Sequence, residues 1–201
     1  INSKPLIYWS IKSFIKNKKI KKTWVSSDSK KILKISKKLG ANTIVRPKIL
    51  ANDTASSDLT WLHAIKIIQK DEKIDFVIGV QPTSPIRENK DIDNSLKKFF
   101  KKKYDSLFSA SDKHEGFLWE LKKKNVKPEY NIFRRPLRQK LKKIICENGS
   151  FYIFNVKKFL KYKNRLFGKI GYYKMDKYKS FQIDTKEDLF IAETLMKRLK
   201  N

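Results

Sequence analysis

The stretch Asp75–Arg87, DFVIGVQPTSPIR, constrains this chain more than any other. Phe76, Val77, Ile78 and Val80 form a short unbroken apolar run, the pattern of a strand buried on both faces and expected inside a sheet. The run ends on Gln81-Pro82-Thr83-Ser84-Pro85, where two prolines stop the ladder and uncharged polar side chains stand just past the carboxyl end of the strand. Ligands of open α/β sheets bind outside that edge. Gln81 is therefore a candidate ligand contact, and a proline-stiffened strand exit is the plain alternative.

The rest of the chain alternates between helical and strand patterns. Leu6, Ile7, Trp9, Ile11, Phe14 and Ile15 give a broad apolar helix face behind Pro5, and Thr23–Ser27 is a short strand. Asp28 or Ser29 caps a second helix, which Gly40 stops. Thr43–Val45 is another strand, left by Arg46-Pro47, and Asn52–Ser57 caps a helix reaching about Gln69. The free amides at that helix start, with Ser56 and Ser57, make a natural anion site, although the same residues read equally as ordinary N-caps. Arg46 presents a planar fork suited to a base carbonyl or a phosphate.

A helix over 92–100 and a strand over 106–110 continue the alternation, and 112–147 breaks it with strand signals and no helix. Within that segment Arg134, Arg135 and Arg138 put three guanidiniums into five residues, either a solvated basic turn or a bidentate site for a carboxylate. Glu147-Asn148-Gly149 is a turn into the strand 150–154, where Asn148 can meet hydroxyls and Tyr152 can donate or simply pack. Asp184 follows the last strand, and Thr185 with Asp188 opens a C-terminal helix. His114 has no second histidine or cysteine at ligand spacing.

Four ordered stretches carry a family resemblance. GVQPTSPIR, Arg46-Pro47 through Asn52-Asp53-Thr54-Ala55-Ser56-Ser57, Arg138-Gln139 through Glu147-Asn148-Gly149-Ser150-Phe151-Tyr152, and Ile183-Asp184-Thr185 with Glu187-Asp188-Leu189 together resemble the CMP-sialic acid synthetases (acylneuraminate cytidylyltransferases) over nearly the whole chain. The resemblance implies a three-layer, Rossmann-like α/β nucleotidyltransferase fold with a mostly parallel sheet, and a small β-rich extension over 112–147 that pairs two subunits. It implies transfer of CMP from CTP to a nine-carbon 2-keto sugar acid. Arg46, Ala55, Ser57 and Gly79 would contact the nucleotide, and Gln81, Arg135, Arg138, Asn148 and Tyr152 the sugar. Asp184 and Arg138 would be catalytic, with Asp184 holding Mg2+. Many of these synthetases carry Asp-Ile-Asp where this chain has Gln182-Ile183-Asp184, so Gln182 offers only a neutral oxygen to a metal.

The same resemblance places Ser3-Lys4-Pro5-Leu6 some twenty residues after a first strand and a basic Gly-rich phosphate loop, both expected to lie upstream of Ile1. Residues 1–201 alone are therefore expected to be inactive. The composition adds a single cysteine, which excludes an internal disulfide, and no apolar run of about 18 residues, so a cytoplasmic protein without a membrane partner is expected. Lys and Arg number 48 against 20 acidic residues, a net charge of +28. The lysines lie along every segment instead of forming one arm, which favours a solvated basic surface over a specific nucleic-acid site. A cytidylyltransferase for an eight-carbon keto acid and a basic nucleic-acid-binding module are the two alternatives.

Overall fold

The computed structural model describes residues 1–52, 54–113, 117–123, 125–140 and 144–198. In chain order the elements are α1 (Leu6–Ile15), β1 (Trp24–Ser27), α2 (Lys30–Lys38), β2 (Asn42–Val45), α3 (Ser57–Ile68), β3 (Phe76–Val80), α4 (Asn89–Lys101), β4 (Ser106–Lys113), β5 (Trp119–Lys122), β6 (Asn125–Pro128), β7 (Ile144–Asn155), α5 (Val156–Tyr162), β8 (Ile170–Lys174) and α6 (Lys186–Arg198).

Local chemistry sets many of these boundaries. The Ser29 and Ser56 hydroxyls accept from the backbone N–H groups of Ile32 and Leu59, capping α2 and α3. Gly40, at φ +88°, ends α2 in the left-handed conformation, with the N–H groups of residues 40 and 41 bonded to the carbonyls of Lys37 and Ser36. Thr185 and Asp188 open α6 reciprocally: the Asp188 N–H donates to Thr185 Oγ1 at 3.2 Å, and the Thr185 N–H to Asp188 Oδ2 at 2.8 Å. The cap is thus Thr185, and the Asp184 carboxylate is not used for it.

The main sheet has the order β3-β7-β4-β8; β3, β4 and β8 run one way and β7 opposes them. A parallel pair, β1-β2, stands apart. The layers follow from side-chain alternation along β7. Tyr152 and Phe154 face α3 and α5, packing with Ile65, Phe159 and Trp61, and Phe151 and Ile153 face Phe99 of α4 with Leu107 and Met175. Every side chain from Phe151 to Phe154 is at most 5 % exposed, so β7 is the central strand.

One expectation is corrected here. β3 was expected inside a sheet with both faces covered, yet among the described residues it pairs only with β7 and its other edge is open, and Phe76 is 40 % exposed. Apolar character on both faces does not say which edges find partners. Among the described residues β1 likewise pairs only with β2, and a cavity of about 960 Å³ separates the two open edges. At its far end Lys22 Nζ bonds Glu72 at 2.6 Å, so the entries to β1 and β3 lie side by side.

The segment beyond Ser111 leaves the body as a continuation of β4, past a bulge between Phe108 and Ala110, and returns along β7. Between them β5 and β6 pair, among the described residues, only with each other. Leu121, Phe133 and Leu137 there are 86, 91 and 64 % exposed.

Candidate functional site

The polar end of the cavity is formed where β2 and β3 stop. Arg46 directly follows β2 and Gln81 directly follows β3; both line the cavity, together with Ala55, Ser57 and Gly79. All four residues that the family resemblance assigns to a nucleotide thus line this cavity. Ile7, Phe14, Val25, Ile65, Ile68 and Val77 make an apolar stretch of the wall, and Lys19, Lys21, Lys22, Glu72, Lys73, Asp75 and Lys97 line it as well. Arg46 is half-buried, within 3.5 Å of Thr60 Oγ1 and 4.0 Å of Asp28, so its guanidinium is lightly tied on the cavity side of α3. Ser57 opens α3, whose free N–H groups and positive dipole end favour an anion.

Gly79 has a packing reason. A Cβ there would lie 2.6–2.8 Å from Cζ2, Cη2 and Cε2 of Trp61, so only glycine lets that indole lie against β3. Trp61 also lines the cavity and packs on Tyr152 and Phe154.

Next to the nucleotide residues stands a second group. Gly149, at φ +65° in an irregular part of β7, lies directly under the side-chain amides of Gln81 and Gln182, which would have to shift to admit a Cβ. Ile183 donates its N–H to the Thr83 carbonyl at 2.9 Å, tying the 182–184 segment to the 81–85 loop. Gln81, Gly149, Gln182 and Asp184 therefore belong to one neighbourhood. Asp184 is exposed, and its carboxylate has no hydrogen bond or ion pair among the described residues. The segment is anchored from behind by Lys179, which is fully buried between Glu88, Asp91 and Asp176. Burial alone would lower the Lys179 pKa, and the hydrogen bonds to Glu88 and Asp91 outweigh it and raise it.

Other assigned residues stand differently. Asn148 is 3 % exposed and its amide faces inward. Its Oδ1 accepts from Ser109 Oγ at 2.6 Å and from the Ser150 N–H, and its Nδ2 donates to Ser180 Oγ at 3.2 Å. Buried amides must find partners, and Asn148 spends its own on holding the backbone around Gly149. The Tyr152 ring is in the core, and its hydroxyl donates to Glu147 Oε2 at 2.9 Å. Burial, then that hydrogen bond, pushes the phenol up to about 12. Arg135 does not line the cavity; its guanidinium stacks over Phe117, 3.8 Å from the ring centroid, within the extension. The Arg138 backbone forms a 3-10 turn over Arg138–Lys140, and its side chain lies outside the described residues, as do Asp53 and His114.

Two arginines at the site were missed by sequence reasoning. Arg165 donates to Asp58 at 2.9 Å and lies over the rings of Trp61 and Tyr152, at 4.6 and 4.8 Å. Arg87 is buried behind the Gln81–Ser84 loop. Their signal was scarcity: only seven of the 48 basic residues are arginine, and a planar fork is what arginine offers over lysine.

Among the described residues no three His, Cys, Asp or Glu side chains cluster as a metal site, and no helix is long and apolar enough to cross a membrane. A lone exposed carboxylate fits magnesium carried on substrate phosphates, the usual mode for that ion, and does not fit a resident all-protein site.

The comparisons agree with this geometry. A family model described as Cytidylyltransferase matches residues 1–200. N-acylneuraminate cytidylyltransferase A of Danio rerio is 31 % identical over 94 % of this chain and 44 % of its own length, so the chain spans under half of that relative. Pseudaminic acid cytidylyltransferase of Campylobacter jejuni is 27 % identical over 96 % of this chain and 86 % of its own. The solved structure of CMP:2-keto-3-deoxy-manno-octonic acid synthetase complexed with CTP shares the fold at a TM-score of 0.66 and 13 % identity, over 97 % of this chain and 88 % of the other. Strand ends, helix start and glycine contacts that converge on one cavity, in a sequence matched along its length by one family model, make this chain a member of the cytidylyltransferase family.

Proposed function

We propose that this protein transfers CMP from CTP to the anomeric hydroxyl of a nine-carbon 2-keto sugar acid, such as a sialic, legionaminic or pseudaminic acid. The observation that carries the reading is the convergence of Arg46, Ala55, Ser57, Gly79 and Gln81 on one cavity at the carboxyl ends of β2 and β3. In this reading Arg46 and the amino end of α3 take the nucleotide, and the amides of Gln81 and Gln182 meet sugar hydroxyls. Arg138, from the extension, pairs with the sugar carboxylate. The anomeric oxygen attacks the α-phosphorus, the bond from that phosphorus to the bridging oxygen breaks, and pyrophosphate leaves while the hydroxyl proton passes to a base or solvent. The protein's part is positioning and charge stabilisation. Asp184 would hold magnesium, which when bound would neutralise phosphate charge.

Two features complete the proposal. The open edges of β1 and β3 face each other across an apolar slot, and we propose that one further extended segment seats there and joins the two sheets, leaving the polar end for CTP. The extension, with Leu121, Phe133 and Leu137 exposed, is proposed as a homodimer contact. The test is an assay of the intact polypeptide with CTP, magnesium and a panel of nine-carbon keto acids beside an eight-carbon one. CMP-sugar and pyrophosphate in equal amounts from a nine-carbon acid support the proposal. Product from the eight-carbon acid alone moves it to that substrate class. No product, with DNA binding that survives physiological salt, would favour a nucleic-acid module.

A further inference from the structure

Resting on the acceptor site proposed above, we infer that Arg87 is a positioning residue that holds the sugar-side wall of the cavity in shape. Arg87 is 7 % exposed and all its acceptors are neutral oxygens. Nε donates to Ser150 Oγ at 3.0 Å and Nη1 to Ser10 Oγ at 3.1 Å. Nη2 serves three carbonyls: Gln81 at 3.2 Å, Ser150 at 2.9 Å and Ser84. One side chain thus joins α1, the proline-rich loop and the start of the buried part of β7.

The need for it comes from the loop. Pro82 and Pro85 carry no N–H, so the loop has few donors of its own: the Gln81 carbonyl takes the Ser84 N–H at 3.3 Å, and Arg87 donates to the carbonyls of both Gln81 and Ser84. Arg87 supplies these donors from a rigid fork that spans three segments, which the single ammonium of a lysine cannot do. The rest of the acceptor side hangs on that loop. Ser84 Oγ donates to the Asn148 carbonyl at 3.0 Å, fixing the irregular stretch of β7 at Gly149, and the Thr83 carbonyl accepts from Ile183, fixing the approach to Asp184. Arg46 and Ser57 belong to other segments and receive nothing from Arg87. The nearest opposite charge, Asp91, is bonded to Lys179, and burial pushes the guanidinium down to about 9. A surface role has no use for a charge buried at that cost, whereas a clamp does.

The test compares Arg87→Lys and Arg87→Ala with the intact wild-type polypeptide by steady-state kinetics and by amide hydrogen exchange. For Arg87→Lys the expected result is a loss of at least about tenfold in kcat/KM for the sugar acid, the scale of one lost hydrogen bond to a charged group, with KM for CTP within about twofold. Faster exchange is expected at residues 81–84 and 148–150, unchanged exchange in β1 and β2, and partial return of Arg87→Ala activity on adding guanidinium. The exchange measurement needs no turnover, so it tests the clamp even if the proposed substrate class is wrong. Unchanged exchange at 81–84 in Arg87→Lys overturns the inference, and so does an equal loss for CTP and sugar that follows a general rise in exchange.

Discussion

Replacing Gly79 with alanine isolates one contact on which the cavity wall depends. The added methyl would sit 2.6 Å from Trp61 Cζ2, 2.7 Å from Cη2 and 2.8 Å from Cε2. Carbon pairs rest at about 3.5–4.0 Å, so the indole must retreat by roughly 1 Å. It has little room: Tyr152 and Phe154 lie at centroid distances of 5.8 and 5.7 Å, and Arg165 covers the ring at 4.6 Å. Overpacking of this kind costs about 1–3 kcal/mol, and a wedge between packed rings belongs at the upper end. Losing a glycine from a strand returns about 0.5–1 kcal/mol, so the net destabilisation expected is about 2 kcal/mol. Urea unfolding measures it, with the midpoint lowered and the slope unchanged. Trp61→Phe removes the atoms that the methyl would meet, so the double variant should show a favourable coupling of about 1 kcal/mol. A Gly79→Ala protein within about 0.5 kcal/mol of wild type, with no coupling to Trp61→Phe, would refute the packing reason given for this glycine.

Three further outcomes are expected. Asp184→Asn should abolish most magnesium-dependent turnover and Gln182→Asp should lower the magnesium concentration needed, because hard cations prefer anionic oxygen; an unchanged requirement in Gln182→Asp removes position 182 from the metal's surroundings. Sedimentation should give a dimer at micromolar concentration that Phe133→Asp with Leu121→Asp dissociates, and a wild-type monomer would count against the extension as a contact. Asp105 is held below its ordinary value by hydrogen bonds from Lys158, first, and the Lys169 N–H. Its stabilisation is therefore fully present above about pH 4, the unfolded value, and lost as pH falls through the lower folded value. Thermal melting should show the gap between wild type and Asp105→Asn widest near neutrality and closing below about pH 4, and a gap independent of pH would refute the assignment.

How far the molecule could be read from its sequence depended on the range of each interaction. Caps and stops are local, and Ser29, Gly40, Thr185 and Asp188 act in the structure as their neighbours imply. The β/α alternation and the break over 112–147 were legible for the same reason. Pairing was less so. The apolar run 76–80 looked central, yet β7 takes the centre, because periodicity reports which faces are apolar and is silent on edges. Side-chain roles that depend on distant partners were the hardest. Asn148 was read as able to meet hydroxyls, and its partners Ser109 and Ser180, 39 and 32 residues away, were not legible. Arg87 stood inside the most informative stretch and went unread, since its acceptors Ser10 and Ser150 are 77 and 63 residues distant.

The central claim is that the polar end of the slot between β1 and β3 is the nucleotide site. Calorimetric titration of the intact polypeptide with CTP and magnesium, wild type against Arg46→Ala, tests it most directly. Loss of a charged hydrogen bond should weaken CTP binding by about 10- to 100-fold while leaving the unfolding midpoint close to wild type. Equal affinity in the two proteins, or no binding by the wild type, would contradict it.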